Sequence, residues 1–149
     1  MDIGWADRDY KKAGKIDMAS KLNQSHFKRD SSFFQVHADW FDSTAYRNLS
    51  LTARCLLEEF MFVYLPGRNG HLVLSVEQAA VRLNTSEETA RKAYHELMEK
   101  GFLVLSEEAN YLNGRAREFR LTVFPSNNGR EPSDDWKNWS PDNPIVKLK

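Results

Sequence analysis

Cysteine is almost missing. Cys55 stands alone in 149 residues, so no internal disulfide can form, and a reducing cytoplasm is the expected setting. Long apolar runs are missing too. The longest, Phe60 to Leu65, falls far short of the ~20 residues a membrane helix needs. The opening Met1-Asp2-Ile3-Gly4-Trp5 has neither the basic start nor the apolar stretch of a signal peptide, so a cytoplasmic chain without membrane attachment is expected. On that expectation the Asn-x-Ser tripeptides at Asn23, Asn48, Asn84 and Asn138 are chance. No charge of one sign dominates: Lys plus Arg is 21 and Asp plus Glu is 21. This balance argues against indiscriminate polyanion binding and leaves room for a local basic face.

Assembled chemistry is also lacking. There is no Walker loop and no Gly-x-Gly-x-x-Gly. The histidines His26, His37, His71 and His95 lie far apart, with no cysteine or carboxylate at ligand spacing, so no metal is expected. Glu58-Glu59 and Glu107-Glu108 are sequence neighbours, whose side chains point in different directions and make poor acid–base couples. Cys55 has no base nearby in sequence and sits in an apolar helix, as a small core residue does. No catalytic residue, cofactor or enzymatic activity is expected.

What is present has globular composition, with 41% hydrophobic, 28% charged and 12% aromatic residues. Residues 1–32 read as a flexible polar and basic arm, with 7 basic and 5 acidic residues. The lysine-rich part, residues 8–29, either lies along DNA or solubilises the chain. Residues 33–125 hold most aliphatic residues and should form the domain. Residues 126–149 contain Pro132, Pro141 and Pro144 and read as an irregular tail. In that tail Trp136 and Trp139, three apart, either fold back on the domain or form a motif for a protein partner.

Phe33-Phe34-Gln35-Val36 reads as a short strand or a lead-in packed on the core. Asp42 or Ser43 caps a short turn through Tyr46 and Leu49. Ser50 opens a helix from Leu51 to about Tyr64, with Ala53, Leu56, Leu57, Phe60 and Tyr64 at helical spacing. Pro66-Gly67-Arg68-Asn69-Gly70 ends it as a loop. Leu72-Val73-Leu74 suggests a short strand. Ser75 with Gln78 makes a capping box for a helix from Val76 to about Leu83. After Asn84-Thr85-Ser86 a further helix runs to about Lys100, with the inward stripe Ala90, Ala93, Tyr94 and Leu97. Gly101 suits the positive φ that follows a helix end. Phe102 to Leu105 reads as a strand, Phe119, Leu121 and Val123 alternate with Arg120 and Thr122 as on a second one, and Asn113-Gly114 signals the hairpin turn between them.

This order of helix, short strand, helix, tight turn, helix and hairpin predicts an α+β, mainly α fold: a winged helix-turn-helix with a three-helix core, a short strand and a C-terminal β-hairpin wing. Such a fold offers a helix that the DNA major groove can admit. Residues 74–104 resemble bacterial winged helix-turn-helix domains, and most the DNA-reading part of GntR-type regulators. The positions that carry the resemblance are Ser75, Ala79, Leu83, Ser86, Thr89, Arg91, Ala93, Leu97, Gly101 and Phe102. The lead-in from Val36 through Ser50 to Tyr64 resembles winged-helix replication and regulatory proteins of plasmids and phages. Together the two cover roughly residues 36–124.

The resemblance implies double-stranded DNA as the partner, with a recognition helix over about residues 86–100. Ser86 and Thr89 would contact phosphate or a base edge, and Arg91 would be the main reader. Lys92 and His95 face away from the apolar stripe. Ser75 can hold a phosphate at a helix start. Arg115 and Arg117 flank the hairpin tip, where phosphates or the minor groove are in reach. Glu87 departs from the pattern, standing where many GntR-type proteins carry arginine. A carboxylate there repels phosphate, can accept from cytosine N4, and suits the helix dipole. A homodimer on paired half-sites is a further arrangement the resemblance implies, although no dimerisation element stands out. At this length a stand-alone transcriptional regulator or a replication-associated protein of a mobile element is expected. The alternative is a winged-helix protein-interaction module, favoured by zero net charge and by Glu87-Glu88.

Overall fold

The computed structural model describes residues 34–145; the arm at 1–32, Phe33 and Val146 lie outside them. Among the described residues the fold is α+β and mainly helical, with five helices and one two-stranded antiparallel sheet. No helix among them is long and apolar enough to cross a membrane. Two four-residue helices lead in, α1 (Ala38–Phe41) and α2 (Thr44–Arg47), the second capped by Ser43 Oγ. They press Trp40 and Tyr46 edge-on against Phe102, with ring centroids 6.3 and 6.1 Å away. Phe34, Gln35 and Val36 are exposed and form no strand, because no sheet edge pairs with them.

Helix α3 (Leu51–Val63) starts at Ser50, whose hydroxyl accepts from the Ala53 amide. It buries Ala53, Leu56, Leu57, Phe60 and Met61. Cys55 is exposed, not a core residue. At 100° per residue it falls with Leu51, Glu58 and Phe62 on the solvent stripe, opposite the buried one. The expected strand at Leu72-Val73-Leu74 shrinks to one bridge between Leu72 and Phe119. Val73 is exposed, and the Leu74 carbonyl accepts from the Tyr94 hydroxyl at 2.7 Å, so the chain turns into a helix start.

That helix, α4 (Val76–Arg82), carries the capping box formed by Ser75 and Gln78. It ends with the Asn84 amide donating to Val81 and the Thr85 amide to Ala80, a Schellman motif with Asn84 at φ +51°. Ser86 caps α5 (Glu87–Glu99) two residues later, and Ala90, Ala93, Tyr94 and Leu97 are all buried, as their spacing predicts. A second Schellman motif closes α5. The Gly101 and Phe102 amides donate to Met98 and Leu97, and Gly101 takes φ +77°.

Strands β1 (Leu103–Glu107) and β2 (Glu118–Leu121) pair antiparallel, with a register shift between Leu105 and Glu107. The turn is not the tight two-residue form. Only Gly114 has positive φ, whereas that form needs it at Asn113 as well. Instead a 3-10 turn, Tyr111–Asn113, projects beyond a bridge joining Asn110 and Arg115. Val123 lies past the end of β2, and Thr122 is fully buried rather than solvent-facing.

The reason is the segment expected to be an irregular tail. Residues 126–145 fold back over the hairpin base through a 3-10 turn, Asp135–Asn138. Trp136 stacks on Phe102 at 6.1 Å, and Trp136 and Trp139 join the core. The compact body therefore runs past the expected boundary at residue 125, and both indoles are taken up by packing within the chain.

Candidate functional site

The buried stripe of α5 packs on α3 and α4, which leaves Glu87, Glu88, Arg91 and Lys92 on its solvent side. Ser86 and Thr89 stand at its start, with hydroxyl oxygens 2.9 Å apart. Ser86 Oγ also accepts from the Thr89 amide at 3.2 Å. Lys92 pairs with Glu88 at 2.8 Å, and this hydrogen bond holds the Glu88 carboxyl below its ordinary range. Both side chains are exposed, so an incoming phosphate can compete for the lysine at little cost.

The acidity of α5 is less open than its sequence suggests. Glu96 is drawn inward: its carboxylate accepts from the Ser50 amide at 2.7 Å and the Ser50 hydroxyl at 2.6 Å, and lies 3.5 Å from Lys100 Nζ. This carboxylate fastens α5 to the start of α3 and contributes little to the outer field.

A groove of about 410 Å³ runs between α5 and the hairpin. It gathers four nominated residues from three segments: Ser75 from the start of α4, Arg91 and His95 from α5, and Arg117 from the hairpin. Arg117 pairs with Glu108 at 3.3 Å. No side chain among the described residues pairs with Arg91. His95 is half-buried, and its Nδ1 is shielded without a hydrogen-bond partner. At the groove floor the Tyr94 hydroxyl is tied to the Leu74 carbonyl at 2.7 Å, and its burial pushes its pKa up.

The remaining nominated residues do not enter the groove. Ser86 and Glu87 border a shallow depression at the turn between α4 and α5. Arg115 is exposed beside the bridge at the hairpin tip. Among the described residues no three His, Cys, Asp or Glu side chains cluster as metal ligands; His26 lies outside them.

Sequence reasoning misses the residues that hold the hairpin in place. Asn69 is fully buried; its amide nitrogen donates to the carbonyls of Leu121, Phe124 and Pro125, and its Oδ1 accepts from the Leu121 amide. The Thr122 hydroxyl donates to the Gly101 carbonyl at 2.7 Å. Asn69 sits in a polar, turn-like stretch that marks no buried residue, and the alternation around Thr122 assigns it to the solvent face. The apolar walls of the groove, Met98, Leu105 and Ala116, carry no sequence signal either. The chain matches no protein family, no curated protein and no solved structure.

Proposed function

We propose that this chain is a winged helix-turn-helix protein that binds double-stranded DNA as a small transcriptional regulator or replication-associated protein. On this reading α5 is the recognition helix, and the β1–β2 hairpin is the wing on phosphates or the minor groove. One observation carries the proposal. Arg91 on the exposed side of α5 and Arg117 on the hairpin line a single groove that Ser75 also lines, so one arginine from each element faces the same side of the molecule. Ser86 and Thr89 at the start of α5 add hydroxyl and amide donors suited to phosphate. The pairing of Glu88 and the inward turn of Glu96 reduce the repulsion expected from an acidic helix.

The test is a salt titration of binding to random and genomic duplexes. The expected result is affinity that falls steeply with salt and prefers one sequence. Arg91→Ala with Lys92→Ala should weaken binding by about fivefold to 150-fold with the fold intact, as expected when an arginine–base hydrogen-bond pair worth about 1–3 kcal/mol is removed. Unchanged affinity in that variant would remove α5 from the interface.

The protein-interaction reading has its own support. Phe62 on α3 and Val81 on α4, helices joined by the Arg82–Glu59 ion pair, are 66% and 77% exposed and offer apolar surface to a partner. Absence of duplex binding at low salt would favour it.

A further inference from the structure

The groove between α5 and the hairpin has properties that DNA contact does not call for. Its walls are mainly apolar, with Val73 before α4, Met98 on α5, and Leu105 and Ala116 on the hairpin. Its volume of about 410 Å³ falls within the range of small-molecule sites, about 300–1,000 Å³. Its charge is specific. Arg117 pairs with Glu108 at 3.3 Å, whereas Arg91 has no ion pair among the described residues and meets a guest without giving one up. Among the described residues His95 Nδ1 has no hydrogen-bond partner, so no bond at that atom fixes the tautomer.

We propose that this groove binds a small organic monoanion, a carboxylate on a flat apolar body, with the carboxylate on Arg91 and the apolar part between Met98, Leu105 and Ala116. One spare guanidinium suits one negative charge, and the apolar walls reject a bare inorganic anion, which has nothing to bury there. The proposal goes beyond DNA binding and does not depend on it, because binding is read directly. If the DNA reading also holds, an occupant of Arg91 competes with the duplex.

The test uses the full chain, with indole-3-acetate as the probe and its neutral isostere indole-3-acetamide as the control. NMR would follow the methyl groups of Met98, Leu105, Ala109 and Ala116. Saturable shifts confined to these groups are expected, with the acetate bound about tenfold tighter than the acetamide, as for a charge-assisted hydrogen bond. Arg91→Ala should erase that preference while leaving the weak acetamide shifts. Ala116→Phe, which fills the groove from an exposed position, should abolish both. No saturable shift up to millimolar probe, shifts centred elsewhere, or equal affinity for acetate and acetamide would each overturn the proposal.

Discussion

The base of the hairpin and its tip obey different rules. At the base Leu103 and Leu121 are buried, Asn69 ties the end of β2 to the loop after α3, and Trp136 lies flat against Phe102. At the tip the chain beyond Glu107 is mostly exposed and is held by two backbone hydrogen bonds between Asn110 and Arg115. The one ion pair there, Arg117–Glu108, joins exposed side chains and contributes little to stability. Folding dictates the residues of the base. It does not dictate arginine at 115 and 117, or leucine at 112, which is 98% exposed. The tip's composition is therefore left open by the fold, as the proposed wing requires, and the base only aims it.

This contrast can be broken most directly at Trp136. Trp136→Ala should cost about 3–5 kcal/mol in urea denaturation, the loss typical of a buried indole. A cost below about 0.5 kcal/mol would make the C-terminal segment a detachable strap instead of part of the base. Next comes Gly101, where a Cβ would lie 2.8 Å from the Asp135 carbonyl carbon and the Trp136 nitrogen. Gly101→Ala should lose about 1–2 kcal/mol from the positive φ and about 1–3 kcal/mol from overlap. Asn69→Ala leaves the buried Leu121 amide unpaired and should cost about 1–3 kcal/mol, seen as a lower urea midpoint with an unchanged slope.

A smaller effect sharpens the comparison through pH. Tyr94 packs on Phe119 of β2 and donates to the Leu74 carbonyl, and burial pushes its hydroxyl pKa up. Below the unfolded value, about 10, both states are protonated and the group adds no pH dependence. Above it the unfolded chain ionises while the folded chain does not, so stability falls as pH rises. Tyr46 and Tyr64, also raised chiefly by burial, add to the same slope. Tyr94→Phe should reduce that alkaline loss and cost about 1 kcal/mol at pH 7. An unaltered alkaline slope would show that the phenol is not sealed beneath the groove.

How much of this is legible in the sequence depends on range. Helix starts at Ser50, Ser75 and Ser86 are readable because a cap and its first turn are local. The stripe Ala90–Ala93–Tyr94–Leu97 and the glycine at 101 are readable for the same reason. Cys55 is misplaced because its apolar neighbours are weighed above spacing: it lies off the stripe of Ala53, Leu56, Leu57 and Phe60, and Leu51 and Phe62 share its outer face. Thr122 is beyond reach and Trp136 folding back can be named only as one of two readings, since each burial depends on segments distant in the chain. Of the candidate site, the residue types on α5 and the hairpin can be nominated. Their convergence on one groove cannot, because it depends on how far the hairpin leans over α5.

The least costly change for folding should matter most for binding. Arg115→Ala with Arg117→Ala removes two exposed side chains and one exposed ion pair, so stability should move by less than about 0.5 kcal/mol. If the tip holds phosphates, duplex affinity should fall uniformly across sequences, and the slope of log affinity against log salt should drop by about 1 for each phosphate no longer held. If instead it reads the minor groove, the loss should be largest on A-tract sequences, whose narrow groove attracts arginine. A stable variant that binds duplex with unchanged affinity and salt slope would remove the wing from the proposal and leave α5 alone in it. It would also return the exposed leucine at the tip to the protein-interaction reading.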